Sequence, residues 1–229
     1  MNSKSTAQLI AIVGGSGAGK SWLAKQLCAE FGADALGVSL DDFYRDLSHL
    51  KPEDREQINF DHPDAIDWPL FEDSINHLRD GQTVTLPRYD FSTHTRVLSG
   101  ELTNSRPLIF VEGLWLLWRP HVWWLVNLSL FLDCPESVRW QRRLTRDCQD
   151  RGRSVESVSR QFQTSVAPMH RDFVEFQKGR ADLVIQQPTS AQDFERLVET
   201  VARLREESVL TSGSRRAEAV ERINSPNTL

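Results

Sequence analysis

The feature that most constrains this chain is the run Gly14-Gly15-Ser16-Gly17-Ala18-Gly19-Lys20-Ser21. It satisfies G-x-x-x-x-G-K-[ST], follows the apolar stretch Leu9–Val13 and opens the helical pattern Lys20–Phe31. Glycines allow successive backbone N–H groups to turn inward and cradle phosphate oxygens. The following helix adds its N-terminal dipole. Lys20 is placed to reach the outer phosphates, and the Ser21 hydroxyl to ligate Mg²⁺. By ordinary residue usage the pattern arises by chance in about one chain in a hundred of this size. Competing glycine motifs fail: G-x-G-x-x-G is absent, and G-x-S-x-G breaks at Ala18. The sequence predicts a site for a nucleoside triphosphate.

Short apolar runs recur at Leu9–Val13, Ala35–Leu40, Leu108–Val111, Leu128–Leu132 and Leu183–Ile185. Their lack of clean alternation suits strands buried on both faces of a parallel sheet. Helical periodicity fills the intervals at Lys20–Phe31, Asp67–Asp80 and Ser190–Leu204, the last opening with the capping box Ser190/Asp193. The expected fold is α/β, a P-loop NTPase-type parallel sheet with helices on both faces. Residues 1–207 read as one domain, with 42–106 as a polar insertion for substrate. Within it, Thr83–Leu86 and Arg96–Leu102 read as a small hairpin around Pro87–Thr95. Residues 139–165 read as an arginine-rich helical lid, and 208–229 as a flexible tail without an apolar stripe.

Charge and composition narrow the function classes. Twenty-seven Lys+Arg against 32 Asp+Glu argue against a surface for a nucleic acid polymer. No apolar run approaches the roughly 20 residues of a membrane span, and the start does not read as a signal peptide. Cys28, Cys134 and Cys148 are too scattered for a disulfide framework or zinc cluster, so a reducing cytoplasm is expected. None of the six histidines has metal-ligand spacing. Trp115, Trp118, Trp123 and Trp124 read as core or interface packing.

In an open parallel sheet the strand ends converge on the ligand crevice. Taken in order, those ends carry the phosphate loop, then Asp41-Asp42, Glu112 and Asp133. Asp41 and Glu112 are therefore expected near Lys20 and Ser21, one as a metal-shell carboxylate and one to orient or deprotonate an attacking hydroxyl. Asp42 reads as a solvated neighbour or capping residue, and Glu112 alternatively as a helix N-terminal acid. Arg139, Arg142, Arg143 and Arg146 follow helical spacing on one face, and Arg151-Gly152-Arg153 then turns. Guanidinium groups suit phosphate oxygens, and a closing arginine lid would exclude water. Arg139 and Arg142 are expected to be solvated; Arg143, Arg146, Arg151 and Arg153 are expected to be functional.

These elements resemble the uridine kinase (uridine–cytidine kinase) family over about residues 8–188. The resemblance rests on Gly14–Ser21, Asp41-Asp42-Phe43-Tyr44, Asn59-Phe60-Asp61-His62-Pro63-Asp64-Ala65, Tyr89-Asp90-Phe91-Ser92-Thr93-His94-Thr95-Arg96, Glu112-Gly113, and Arg151-Gly152-Arg153 with Gln161. It implies transfer of the γ-phosphate of ATP or GTP to the 5′-hydroxyl of uridine, and of cytidine, with Mg²⁺ and as a homo-oligomer. Asp41 matches the family's base and metal-shell aspartate, and Ser21 and Glu112 match its other metal positions. Asp61 matches the acid on the ribose hydroxyls, with Tyr44 beside the substrate. Tyr89, Phe91 and His94 match the pyrimidine pocket. Arg143 and Arg146 match lid positions, Arg146 near the nucleotide phosphates, while Arg153 and Gln161 match residues near the nucleoside. Asp42, Phe162 and Ala167 depart from the family's usual residues.

Other readings share parts of this pattern. A small-molecule kinase for pantothenate, phosphoribulose or a nicotinamide nucleoside would share the loop, Asp41 and the lid, but would not need Tyr89–Arg96 together with Asp61-His62-Pro63-Asp64. A catalytically silent nucleotide-binding module is the reading from another class. Asp34–Gly37 fits D-x-x-G without a following N-K-x-D, and Leu98-Ser99-Gly100 starts a transporter signature that fails at Glu101.

Overall fold

A computed structural model describes residues 6–55, 58–150 and 152–210; Arg151 and the stretch 211–229 lie outside the described residues. In chain order the strands are β1 (Gln8–Gly14), β2 (Ala35–Ser39), β3 (Val84–Asp90), β4 (Thr95–Thr103), β5 (Leu108–Gly113), β6 (Leu128–Asp133) and β7 (Leu183–Gln186). The helices are α1 (Lys20–Phe31), α2 (Pro52–Arg55), α3 (Trp68–Arg79), α4 (Pro120–Leu125), α5 (Glu136–Gln149), α6 (Val155–Gln161), α7 (Ala167–Met169) and α8 (Ala191–Leu210). Every predicted strand and helix forms, and α8 runs past the predicted end of its stripe to Leu210.

Five strands make a parallel sheet in the order β2-β5-β1-β6-β7. Side chains alternate across a strand, so β1 serves two cores. Leu9, Ala11 and Val13 pack with Phe71, Ile75 and Leu78 of α3. Ile10 and Ile12 pack on the other face with Leu23 and Leu27 of α1 and Leu197 and Val201 of α8. The sheet is thus covered on both faces, as its apolar strands require. The N-cap of α3 is Asp67, which accepts from the Leu70 N–H, and Ser190 caps α8 by accepting from the Asp193 N–H.

The hairpin β3–β4 stands apart from the main sheet as an antiparallel pair. Its strands reach further inward than the sequence predicts, so Tyr89 pairs with Arg96 and the turn shortens to Phe91–His94. Asp90 holds that turn by accepting from the Ser92 N–H and from the Ser92 and Thr93 hydroxyls, which depress its carboxyl to about 2. Beyond α6 the helical path continues through π-helical turns at Phe162–Val166 and His170–Val174. Among the described residues no helix is long and apolar enough to cross a membrane. Trp115 is fully buried in the core, whereas Trp124 lies at the surface with its ring 5.5 Å from that of Trp123.

Candidate active site

The phosphate loop leaves β1 at Gly14 and enters α1 at Lys20. Gly17 adopts φ +81°, and a Cβ there would lie 2.4 Å from the Arg139 carbonyl oxygen. Only glycine lets the loop sit this close to the start of α5. The Lys20 ammonium donates to the Gly15 carbonyl at 3.2 Å. Burial lowers the pKa of Lys20 while Glu112 and Asp41 pull it up, which places both carboxylates within electrostatic reach of that ammonium.

Glu112 ends β5 and is buried. Its Oε1 accepts from the Ser21 hydroxyl at 2.9 Å and from the Ser39 hydroxyl at 2.8 Å. No helix begins at Glu112, so a helix N-terminal role is excluded; α4 starts only at Pro120. Asp41 follows β2 in a turn whose N-cap is Ser39, with the Asp41 N–H donating to the Ser39 hydroxyl oxygen. That turn packs against the end of β5, where a Cβ on Gly113 would lie 2.6 Å from the Leu40 Cβ. Ser39 therefore joins the Glu112 carboxylate to the backbone of the Asp41 turn, a residue that motif reading passes over. Asp133, at the end of β6, is held instead by Lys178 at 2.7 Å and Gln186.

Asp42 is half-buried and is not the cap of its turn, which is Ser39: its carboxylate accepts from the Tyr89 N–H at 3.2 Å and ties β3 to the Asp41 turn. Burial raises its pKa above the usual carboxylate value. A cavity of about 480 Å³ lies alongside, walled by α1, β2 and the hairpin and bordered by Ser21, Ser39, Asp42 and Glu112.

On the far side of Asp41 stands an aromatic group. The Tyr44 ring meets Tyr89 at 5.1 Å, Phe60 at 5.7 Å and Phe91 at 6.2 Å. The Tyr44 hydroxyl donates to the Phe60 carbonyl, and burial raises its pKa, with Asp41 and Asp61 adding to the effect. His94, in the left-handed region at φ +53°, stacks on Phe60 at 4.3 Å and lies 3.4 Å from the Tyr89 hydroxyl. Phe60 belongs to the Asn59–Ala65 motif, and only the tertiary fold sets it face to face with His94.

Asp61 is buried below this group and accepts from the Ser165 hydroxyl at 3.0 Å and from the Gln161 amide at 3.5 Å. Gln161 in turn accepts from Arg143 at 2.9 Å and from Arg153. Arg143 also donates to the Ser16 hydroxyl at 2.9 Å and lies 3.8 Å from Asp61. One guanidinium thus joins the phosphate loop to the Asp61 side. Arg146 lies within electrostatic reach of Lys20 and pairs with Asp147.

Arg139 overturns its expected solvated role. It is buried, donates to the Cys134 carbonyl at 3.2 Å, and with His170 crowds Gly15, whose Cβ would lie 2.8 Å from each side chain. A basic helix face reads as solvated when the loop that it packs beneath is far away in sequence. Arg142 is exposed as expected, yet it reaches the Ala18 carbonyl at 3.3 Å. The departures Phe162 and Ala167 form one packing unit, buried together with Val166 against Trp140. Arg151 lies outside the described residues.

A family model described as "Phosphoribulokinase / Uridine kinase family" matches residues 9–192. The chain belongs to this family. It is 40% identical over 182 residues to the curated uridine kinase of Shewanella amazonensis, covering 77% of this chain and 86% of that protein. With the uridine kinase of Chloroflexus aurantiacus it shares 42% over 177 residues, covering 77% and 85%. Among solved structures it resembles a putative fructose transport system kinase from Silicibacter (TM-score 0.64, 23% identity, covering 80% of this chain and 92% of that one). Phosphoribulokinase from Rhodobacter spheroides gives a TM-score of 0.57 at 15% identity, covering 80% and 71%. These structural likenesses are evidence of fold alone.

Proposed function

We propose that this chain is a uridine kinase that transfers the γ-phosphate of ATP or GTP to the 5′-hydroxyl of uridine and cytidine. The observation that supports this reading is that Asp41 lies within electrostatic reach of both Lys20 of the phosphate loop and Tyr44 of the aromatic cluster, with Asp61 also in reach of Tyr44. The names and identity levels of the curated relatives support it. Asp41 takes the proton of the attacking hydroxyl, and Asp61 holds the ribose hydroxyls. Phe60, Tyr89, Phe91 and His94 enclose the pyrimidine, and Tyr44 closes the pocket next to Asp41. Lys20, Arg143 and Arg146 meet the phosphates, and Arg153 and Gln161 border the nucleoside.

The oxygen donors Ser21, Glu112 and Asp41 fit Mg²⁺, which favours a few carboxylates plus substrate phosphates. Held by these residues, Mg²⁺ would supply neutralisation of the negative charge on the phosphates. A cytoplasmic homo-oligomer completes the reading, supported by family resemblance. A pantothenate or phosphoribulose acceptor is disfavoured, because neither has an aromatic base to stack on these rings; against a nicotinamide nucleoside stand the names of the curated relatives.

The test is a Mg²⁺-dependent coupled assay of ATP and GTP against uridine, cytidine, adenosine, pantothenate and nicotinamide riboside. The expected result is turnover confined to uridine and cytidine. Turnover on another acceptor alone would remove the pyrimidine pocket from the account, and triphosphate binding without turnover would favour the silent module.

A further inference from the structure

Asp147 follows Arg146 on α5, and its carboxylate is completely enclosed. Arg146 grips Oδ1 with Nε at 2.9 Å and a terminal nitrogen at 2.8 Å. Arg143 brings Nε to 3.4 Å of Oδ2, and Arg153 a terminal nitrogen to 3.7 Å. Gly152, at φ +63°, reverses the chain so that the Arg153 N–H donates to the Asp147 carbonyl at 3.1 Å. Two of these guanidiniums also reach into the site: Arg143 to Ser16 and Gln161, Arg153 to Gln161.

A buried carboxylate carries a desolvation cost that only close pairing offsets. Beside a site for a triphosphate it also opposes ligand charge, so phosphate affinity alone gives no reason for it. The arginines supply the reason. Three like charges gathered in a partly dry site repel one another, and each has rotamer freedom that would scatter its fork. A shared anion fixes them in one array. The N–H groups turned away from it then stay aligned without reorganisation, which is the condition for strong stabilisation of developing charge.

We infer that Asp147 is a positioning residue: it holds Arg143, Arg146 and Arg153 in register for phosphoryl transfer. This rests on the phosphotransferase reading, which wild-type turnover in the same assay tests separately.

Asp147→Asn keeps the volume and removes the charge. Its kcat is expected to fall at least tenfold while the ATP KM moves less than threefold. Combined with Arg146→Gln, the two losses should be far from additive, the double variant being little slower than Arg146→Gln alone. A purely structural Asp147 would lower Tm and leave kcat per folded enzyme within threefold; that result, or fully independent losses, overturns the inference. Should Asp147→Asn fail to fold, the coupling is read between Arg146→Lys and Arg153→Gln, both on partly exposed side chains. Coupled losses in kcat support the shared carboxylate, and independent losses overturn it.

Discussion

Ser39 joins two chain segments through one hydroxyl: it donates to the Glu112 carboxylate and accepts from the Asp41 backbone N–H. Asp41 and Glu112 were legible from the sequence because strand ends in a parallel sheet share one crevice. Ser39 was not, since a serine two residues before an aspartate carries no motif. Asp42 illustrates the same limit: only the fold brings the Tyr89 N–H to its carboxylate. Its raised pKa fixes the sign of a stability effect. A carboxyl whose folded pKa lies above its unfolded value binds protons more readily when folded, so its ionised form costs stability at neutral pH. That cost disappears as pH falls through the raised value. Asp42→Asn keeps an acceptor for the Tyr89 N–H. It should raise Tm by about 2 °C at pH 7.5, with the gain shrinking as pH falls through the raised value and lost at a pH below the ordinary carboxylate range, as followed by thermal unfolding across pH. An unchanged Tm at both pH values would contradict this account of Asp42.

At the scale of elements, the contact between the phosphate loop and α5 organises the site. Arg139 packs beneath Gly15, its carbonyl faces Gly17, and Arg143 reaches Ser16. Helix α5 is thereby seated on the loop through buried contacts in its N-terminal half. Its helical spacing was evident from the sequence, but the face that lies against protein was not. Periodicity gives relative phase along a helix, and the partner supplies the absolute direction. The hairpin followed a similar course: its existence was legible from turn residues and apolar runs, its short turn only from the Asp90 hydrogen bonds. Gly17→Ala combines a left-handed φ with a 2.4 Å approach to the Arg139 carbonyl. It should cost about 1–3 kcal/mol of stability and weaken ATP binding at least tenfold, measured by denaturant unfolding and by titration. Wild-type values in both would mean that the loop and α5 move apart freely.

Across the whole molecule, one sheet with two cores holds the phosphate loop and two carboxylate-bearing strand ends at a single edge, and the hairpin adds the aromatic wall. The sheet was readable in outline because each strand is a short apolar run bounded by turns. The aromatic cluster was readable only in part: Tyr89 and His94 share one hairpin motif, but no local pattern connects that motif to Phe60. The central claim is that Asp41 activates a nucleoside 5′-hydroxyl toward a triphosphate held by the loop. The most direct measurement compares wild type with Asp41→Asn on uridine and ATP, with the product identified by mass and by phosphorus resonance. The account predicts one uridine 5′-monophosphate per ADP for wild type. For Asp41→Asn it predicts a kcat lower by about 10²-fold or more, with the ATP KM largely kept. Near-wild-type turnover by Asp41→Asn, or phosphate on any other position of the nucleoside, would contradict it.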